Sequence, residues 1–171
     1  ATNLIWESFS STSKTEKIWF AQIRETHDGD VAAQSGGISH NQQSQLLTTV
    51  TGPGTLKFRW KVSSEAGYDF LKFSLDSETL PRASISGETV WEQKTFTIPS
   101  GSHVLRWSYV KDGTVSSGRD AGWVDEVVFT PFVIIARQLN PLRFLPDGSV
   151  LILSDDASSE AFFSGNLAAF A

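Results

Sequence analysis

Asp125 is the acid in this chain most in need of a partner. Read as one regular strand, Trp123 to Phe129 puts it on a face with Trp123, Val127 and Phe129. A carboxylate among apolar side chains is costly unless it is hydrogen-bonded, paired or bound to a metal. The residues alone allow hydrogen bonds from a neighbouring loop, a pair with Arg119, or a cation. Thr26-His27-Asp28-Gly29-Asp30 offers oxygen ligands and, in His27, a base, but Asp-Gly is first a turn dipeptide. His27, His40 and His103 are not at zinc-ligand spacing, and no serine sits in a nucleophile-elbow sequence. The pairs Glu65 and Asp69, and Glu88 and Glu92, have the residue types of a glycosidase. No acid, base and orienting group converge with them in sequence, so the chain reads as non-enzymatic.

Aromatic residues supply the other chemistry. Of six tryptophans, Trp60 and Trp107 fall on alternating apolar faces and read as core. Trp91 follows a turn beside Glu88 and Glu92, and Tyr68 sits in a turn of its own. An exposed ring of either kind can stack on a sugar, so both are candidate ligand-binding residues as well as packing residues.

The elements that must hold these residues are strands. Gly52-Pro53-Gly54 reads as a turn, and after it Leu56, Phe58, Trp60 and Val62 alternate with Lys57, Arg59, Lys61 and Ser63. Leu71, Phe73 and Leu75 repeat the pattern. Period-two alternation means one dry and one wet face. Strands are predicted over 4–9, 17–23, 45–51, 55–63, 70–75, 83–86, 90–98, 103–110 and 123–135, separated by turn signals such as Asp28-Gly29, Pro99-Ser100-Gly101 and Asp112-Gly113. No segment has a convincing helical period, Ser158 to Phe163 being the nearest to one. The fold class is all-β, a jelly-roll sandwich. A boundary lies near Pro131 to Pro141, dividing a sandwich over 1–131 from a linker and small β-hairpin appendage over 132–171, built around Pro146-Asp147-Gly148. About 30 residues are too few for a separate core.

Composition narrows the partners. Charged residues are 19% and the net charge is −5, a poor basis for binding nucleic acid or anionic membrane. No apolar run approaches the ~20 residues of a membrane span. The absence of cysteine excludes disulfides, thiolate nucleophiles and thiolate metal sites. The start at Ala1 fits a mature product after signal-peptide removal, or a piece of a longer chain. Together with the Ser, Thr, Gly and aromatic content, this points to secretion or surface display.

Several stretches together resemble a bacterial extracellular module of the MAM-like and cleaved-adhesin-like, concanavalin-type kind. They include Trp19-Phe20-Ala21-Gln22, Thr26 to Gly36, Trp60 to Glu65, Ile85-Ser86-Gly87-Glu88, Gly101 to Asp112 and Gly122 to Val127. The resemblance covers roughly Leu4 to Pro131. It implies a structural calcium site in which Asp125 meets Glu7 near the first strand, aided by Asp28, Asp30 or Asp120. Calcium takes several oxygen ligands, and no loop here has EF-hand spacing.

Two functions follow. One is an extracellular structural or adhesive module that associates with itself into a filament, or with other surface proteins, through terminal strands. Leu4 to Phe9 and the apolar run Phe132 to Ala136 would be the donors. The other is a carbohydrate-binding module of a larger secreted enzyme, with a glycan stacked on Trp91 or Tyr68.

Overall fold

The computed structural model describes residues 4–12 and 17–132, and the backbone of 143–144, 150–152 and 161–163. The chain divides into two compact units, Ala1–Phe132 and Val133–Ala171. The first holds β1 (Trp6–Ser10), β2 (Phe20–Gln22), β3 (Ala32–Gln34), β4 (Gln43–Ser63), β5 (Phe70–Leu75), β6 (Glu78–Ser86), β7 (Glu92–Val110) and β8 (Ala121–Pro131). They form one antiparallel sheet in the order β2-β3-β8-β4-β7-β5-β6, with β1 paired to β4. The all-β sandwich expected from the alternation is what the chain adopts.

The sheet becomes a sandwich because its two longest strands bend. β4 and β7 pair along almost their whole lengths, with a register slip between Gly52 and Gly54 opposite Pro99 to Gly101. On one side of the bend, residues 44–48 of β4 carry β1, and 105–110 of β7 carry β5 and then β6. On the other side, residues 54–63 of β4 carry β8, followed by β3 and β2. The two halves fold over each other. Gly52-Pro53-Gly54 is therefore not a turn between two strands, as its composition suggests, but the corner of one strand. The Gly52-Pro53 peptide is cis. A Cβ on Gly52 would run into the Pro99 carbonyl oxygen, so only glycine lets the two corners nest. The expected strands 90–98 and 103–110 are likewise one strand, while β3 lies in a stretch read as loop.

Leu56, Phe58, Trp60 and Val62 are all buried, as their alternation requires. Phe58 bridges the layers: its ring lies 5.1 Å from both Phe73 of β5 and Trp107 of β7. Phe73 in turn stacks on Phe96 at 4.8 Å. Ring pairs at these distances contribute about 0.5–1.5 kcal/mol each beyond their burial.

In the second unit β9 (Arg143–Phe144), β10 (Val150–Ile152) and β11 (Ala161–Phe163) form an antiparallel sheet with β10 central. Leu151 pairs with Arg143, as the expected hairpin requires; its turn lies outside the described residues. Ala161–Phe163 is strand, not helix. Among the expected strands, the continuation of β8 over 133–135 also lies outside the described residues.

Candidate functional site

A cleft of about 550 Å³ opens beside β1, within the range of small-ligand sites. Its walls come from β1, β2, β3, β4 and β8 and include Trp6, Glu7, Trp19, Phe20 and Asp125. The strand register explains why it is open. Trp6 pairs with Thr48, and Thr48 with Leu105; Ser8 pairs with Leu46, and Leu46 with Trp107. Directly paired residues share a face. Trp6 and Ser8 therefore lie on the core side of β1. Trp6 reaches the core ring of Trp107 at 5.8 Å, yet it is 40% exposed. Among the described residues nothing closes the inter-sheet space at this edge, and Trp6 stands in its mouth.

Ser8 and Trp19 bring polar groups to this apolar mouth. The Glu7 side chain, at the rim of the cleft on the other face of β1, has no hydrogen-bond or ion-pair partner among the described residues. Ser8 Oγ donates to the Gln45 carbonyl at 3.1 Å and accepts the Trp19 backbone N–H at 2.7 Å, which fixes Trp19 against β1. The Trp19 indole Nε1–H is buried and has no acceptor. A buried donor without a partner costs roughly 1–3 kcal/mol. Phe20 adds a second aromatic surface, 48% exposed.

Asp125 stands on a different face from the one its spacing suggests. Lys57 pairs with Val128 and Arg59 with Asp125, so Phe58 faces two residues of β8, Glu126 and Val127. This is a β-bulge, and Glu126 takes φ +48° within it. The extra residue reverses the alternation. Phe129 pairs with Leu56 and Val124 with Trp60 on the core side, while Asp125 and Trp123 pair with Arg59 and Lys61 on the outer side. Asp125 is still only 4% exposed, because the β2–β3 loop covers it. Its Oδ2 accepts the His27 N–H and its Oδ1 the Glu126 N–H, each at 2.7 Å. Glu126 in turn holds His27 Nδ1 at 2.6 Å and Arg59 Nε at 2.7 Å. Asp125 thus pins a loop, and Arg119 pairs with Glu25 instead.

The other expected ligands are dispersed. Glu7 and Asp125 line the same cleft. Asp28 and Asp30 lie in the exposed loop, where Asp28 Oδ1 accepts the Asp30 N–H at 2.9 Å. Asp120 is bound by the Tyr109 hydroxyl at 2.8 Å and by Lys111. Burial works to raise the Asp120 pKa, but the hydrogen bonds from Lys111 and Tyr109 outweigh it and hold the carboxyl below its usual range. Among the described residues, carboxylates at ligand spacing of one another are Glu65, Asp69 and Asp112, a group that does not contain Asp125. Glu88 takes the Ser63 hydroxyl at 2.6 Å, and Glu92 pairs with Lys94 at 2.9 Å.

Trp91 does not stand free. It is half-buried, its Nε1 is enclosed, and the His27 ring meets it edge-on at 6.2 Å. Tyr68 is 60% exposed in the β4–β5 loop. Trp6, Trp19 and Phe20 were not distinguishable as cleft residues by spacing. Their face parity was legible, but not that the facing layer ends beside them.

No known family pattern matches the chain, and no curated protein sequence matches it. Its fold is shared with solved structures. The K1 cleaved adhesin domain of Lys-gingipain from Porphyromonas gingivalis W83 superposes with a TM-score of 0.58 at 15% identity, over 76% of this chain and 94% of that one. TmCBM61, solved in complex with β-1,4-galactotriose, gives 0.51 at 12% identity, over 74% and 88%. The secreted serine protease VesC from Vibrio cholerae gives 0.53 at 17% identity, over 58% of this chain. The match spans only 21% of VesC. The chain therefore has the β-sandwich fold of cleaved adhesin domains and carbohydrate-binding modules. Among the described residues, no helix is long and apolar enough to cross a membrane.

Proposed function

We propose that the chain is a non-catalytic extracellular binding module that takes a neutral glycan in the cleft beside β1. One observation carries this reading: an open, largely apolar cleft is lined by the part-exposed Trp6 and by Trp19, whose buried Nε1–H has no acceptor. A sugar hydroxyl or ring oxygen supplies that acceptor. Trp6 offers an apolar face to a pyranose ring, with Phe20 and Glu7 at the rim of the cleft. The likeness to TmCBM61, a galactotriose-bound module, supports the ligand class. Of the two rings proposed from the sequence, Trp91 is enclosed and Tyr68 is exposed in the β4–β5 loop; the cleft adds Trp6 as a platform. A glycan array of neutral oligosaccharides that includes β-1,4-galactotriose tests the reading, with Trp6→Ala as control. Binding lost in the variant supports it; no binding, or equal binding by the variant, refutes it.

Calcium belongs to the same proposal at reduced scope, with Asp125 and Glu7 as the acids on the cleft wall. Each Asp125 oxygen accepts one N–H and keeps a lone pair for a cation. Asp120 is excluded from that set by its bonds to Lys111 and Tyr109.

A second reading, self-association through terminal strands, is favoured by the outer edge of β1. Among the described residues β1 pairs with β4 alone, and Ile5 and Phe9 are exposed along it. The donor segment 133–136 lies outside the described residues. Light scattering of the intact chain beside a deletion of residues 1–10 tests it. A strictly monomeric intact chain refutes association, and a polymer that survives the deletion refutes donation by β1.

A further inference from the structure

Lys111 follows β7 directly, and Asp69 directly precedes β5. The pairing of Phe70 with Val110 places them opposite each other across adjacent strands. Both side chains are 0% exposed. Lys111 Nζ stands 3.2 Å from Asp69 Oδ2, yet Oδ2 receives no aligned hydrogen bond. The ammonium instead donates to Ser116 Oγ at 2.8 Å and to Asp120 Oδ1. Asp69 Oδ1 accepts the Asp112 N–H at 2.9 Å. The Lys111 backbone is held by the Gln42 carbonyl at 3.0 Å, so neither side of the pair is free to drift.

We propose that Lys111 and Asp69 condense into an intramolecular isopeptide bond, with Asp120 as the proton carrier. The Lys111 and Asp69 side chains are fully buried, and separated charges are unfavourable there. Passing one ammonium proton to Asp69 Oδ2 leaves a neutral amine facing a neutral carboxylic acid. Lys111 Nζ attacks Asp69 Cγ, and the oxyanion forms on Oδ1, where the Asp112 N–H already points. Asp120 takes a second proton from the nitrogen and delivers it to the hydroxyl on Oδ2. The Cγ–Oδ2 bond breaks, one water leaves, and the amide nitrogen keeps one hydrogen. Charge and atoms balance: an ammonium and a carboxylate become an amide and water, and Asp120 ends as it began. The hydrogen bonds that hold Asp120 below the usual carboxylate range keep it ionised for this task. Burial, then the Asp120 charge, pushes the Tyr109 hydroxyl up, so Tyr109 remains a donor that orients Asp120. Fixed reactants side by side gain the large effective concentrations of intramolecular reactions. The product would tie the entry of β5 to the exit of β7.

Intact-mass spectrometry of the denatured full chain, followed by tryptic mapping, tests the bond. The expected result is a mass one water below that of the sequence, no cleavage after Lys111, and a branched peptide joining Asp69 to Lys111. Lys111→Arg keeps the charge but cannot form the amide, and is expected at full mass. A wild type at full mass, or cleaved normally after Lys111, overturns the proposal. So does loss of one water in both proteins, which would place dehydration elsewhere, as at Asp112-Gly113. If Lys111→Arg fails to fold, the wild-type digest alone is decisive: the branched peptide supports the bond and its absence overturns it.

Discussion

Beside the β7–β8 loop, Asp69, Lys111 and Tyr109 are shut away from water, with the part-exposed Asp120 bound to Lys111 and Tyr109. Beside β1, Trp6 and Trp19 line a cleft into the same inter-sheet space and leave a part-exposed ring and a donor unmatched, while Glu7 stands on the other face of β1. Both regions place polar groups against an aromatic core. They differ in whether a cross-strand neighbour exists to satisfy them. Lys111 has Asp69 opposite it at the entry to β5, whereas among the described residues β1 pairs with β4 alone. A network of groups enclosed with one another can only act on itself. An open edge with orphaned groups is built to take something from outside.

The largest expected effect comes from opening the sealed region. Lys111→Ala strands the buried Asp69 and is expected to cost about 3–5 kcal/mol in urea denaturation. Trp6→Ala removes a ring that is already part-exposed and is expected to cost about 1–2 kcal/mol. Equal losses would erase the distinction between the two regions.

That distinction was only partly legible in the residues. The dry face of Leu56, Phe58, Trp60 and Val62 follows from alternation alone, and so does the sandwich. Gly52-Pro53-Gly54 reads as a turn because glycine and proline usually end strands. Its role as a corner depends on Pro99 to Gly101 bending beside it, a relation between segments more than 40 residues apart. Asp125 was misplaced because alternation presumes a regular strand, and the bulge at Glu126 shifts it by one residue. Lys111 and Asp69 meet only through the β5–β7 register, which no local pattern encodes.

On the open side, Trp6→Ala is expected to weaken glycan binding at least about tenfold, or ~1.4 kcal/mol, as removal of a central aromatic anchor does. Titration calorimetry checks it. Trp91→Ala should leave affinity unchanged, since that ring is packed under His27. Calcium bound to the native state is expected to raise the melting temperature by mass action, with the rise lost in Asp125→Asn. Calorimetry in calcium and then in EGTA measures it, and a wild type indifferent to both removes calcium from the site.

The smallest effect belongs to a pair in neither region. His103 Nδ1 meets Asp76 at 3.0 Å at the surface. The hydrogen bond that His103 donates to Asp76 raises the His103 pKa above its ordinary 6.5 and lowers that of Asp76 below its ordinary 3.8. The histidine's contribution is complete below pH 6.5 and is lost as pH rises through the raised value. The aspartate's is present above 3.8 and lost as pH falls through the lowered value. Melting temperature should therefore decline slightly above pH 6.5 in wild type, and His103→Gln should flatten that decline. An identical slope in both would show that the pair contributes nothing.

Whether the cleft beside β1 is the ligand site can be read from the Trp19 indole itself. In ¹H–¹⁵N correlation spectra of the full chain titrated with β-1,4-galactotriose, the Trp19 Nε1–H resonance is predicted to move as it gains an acceptor. The enclosed indoles of Trp60 and Trp91 should stay where they are. A Trp19 resonance that does not move at saturating sugar, whether nothing binds or the shifts fall elsewhere, would mean that the cleft is not the site.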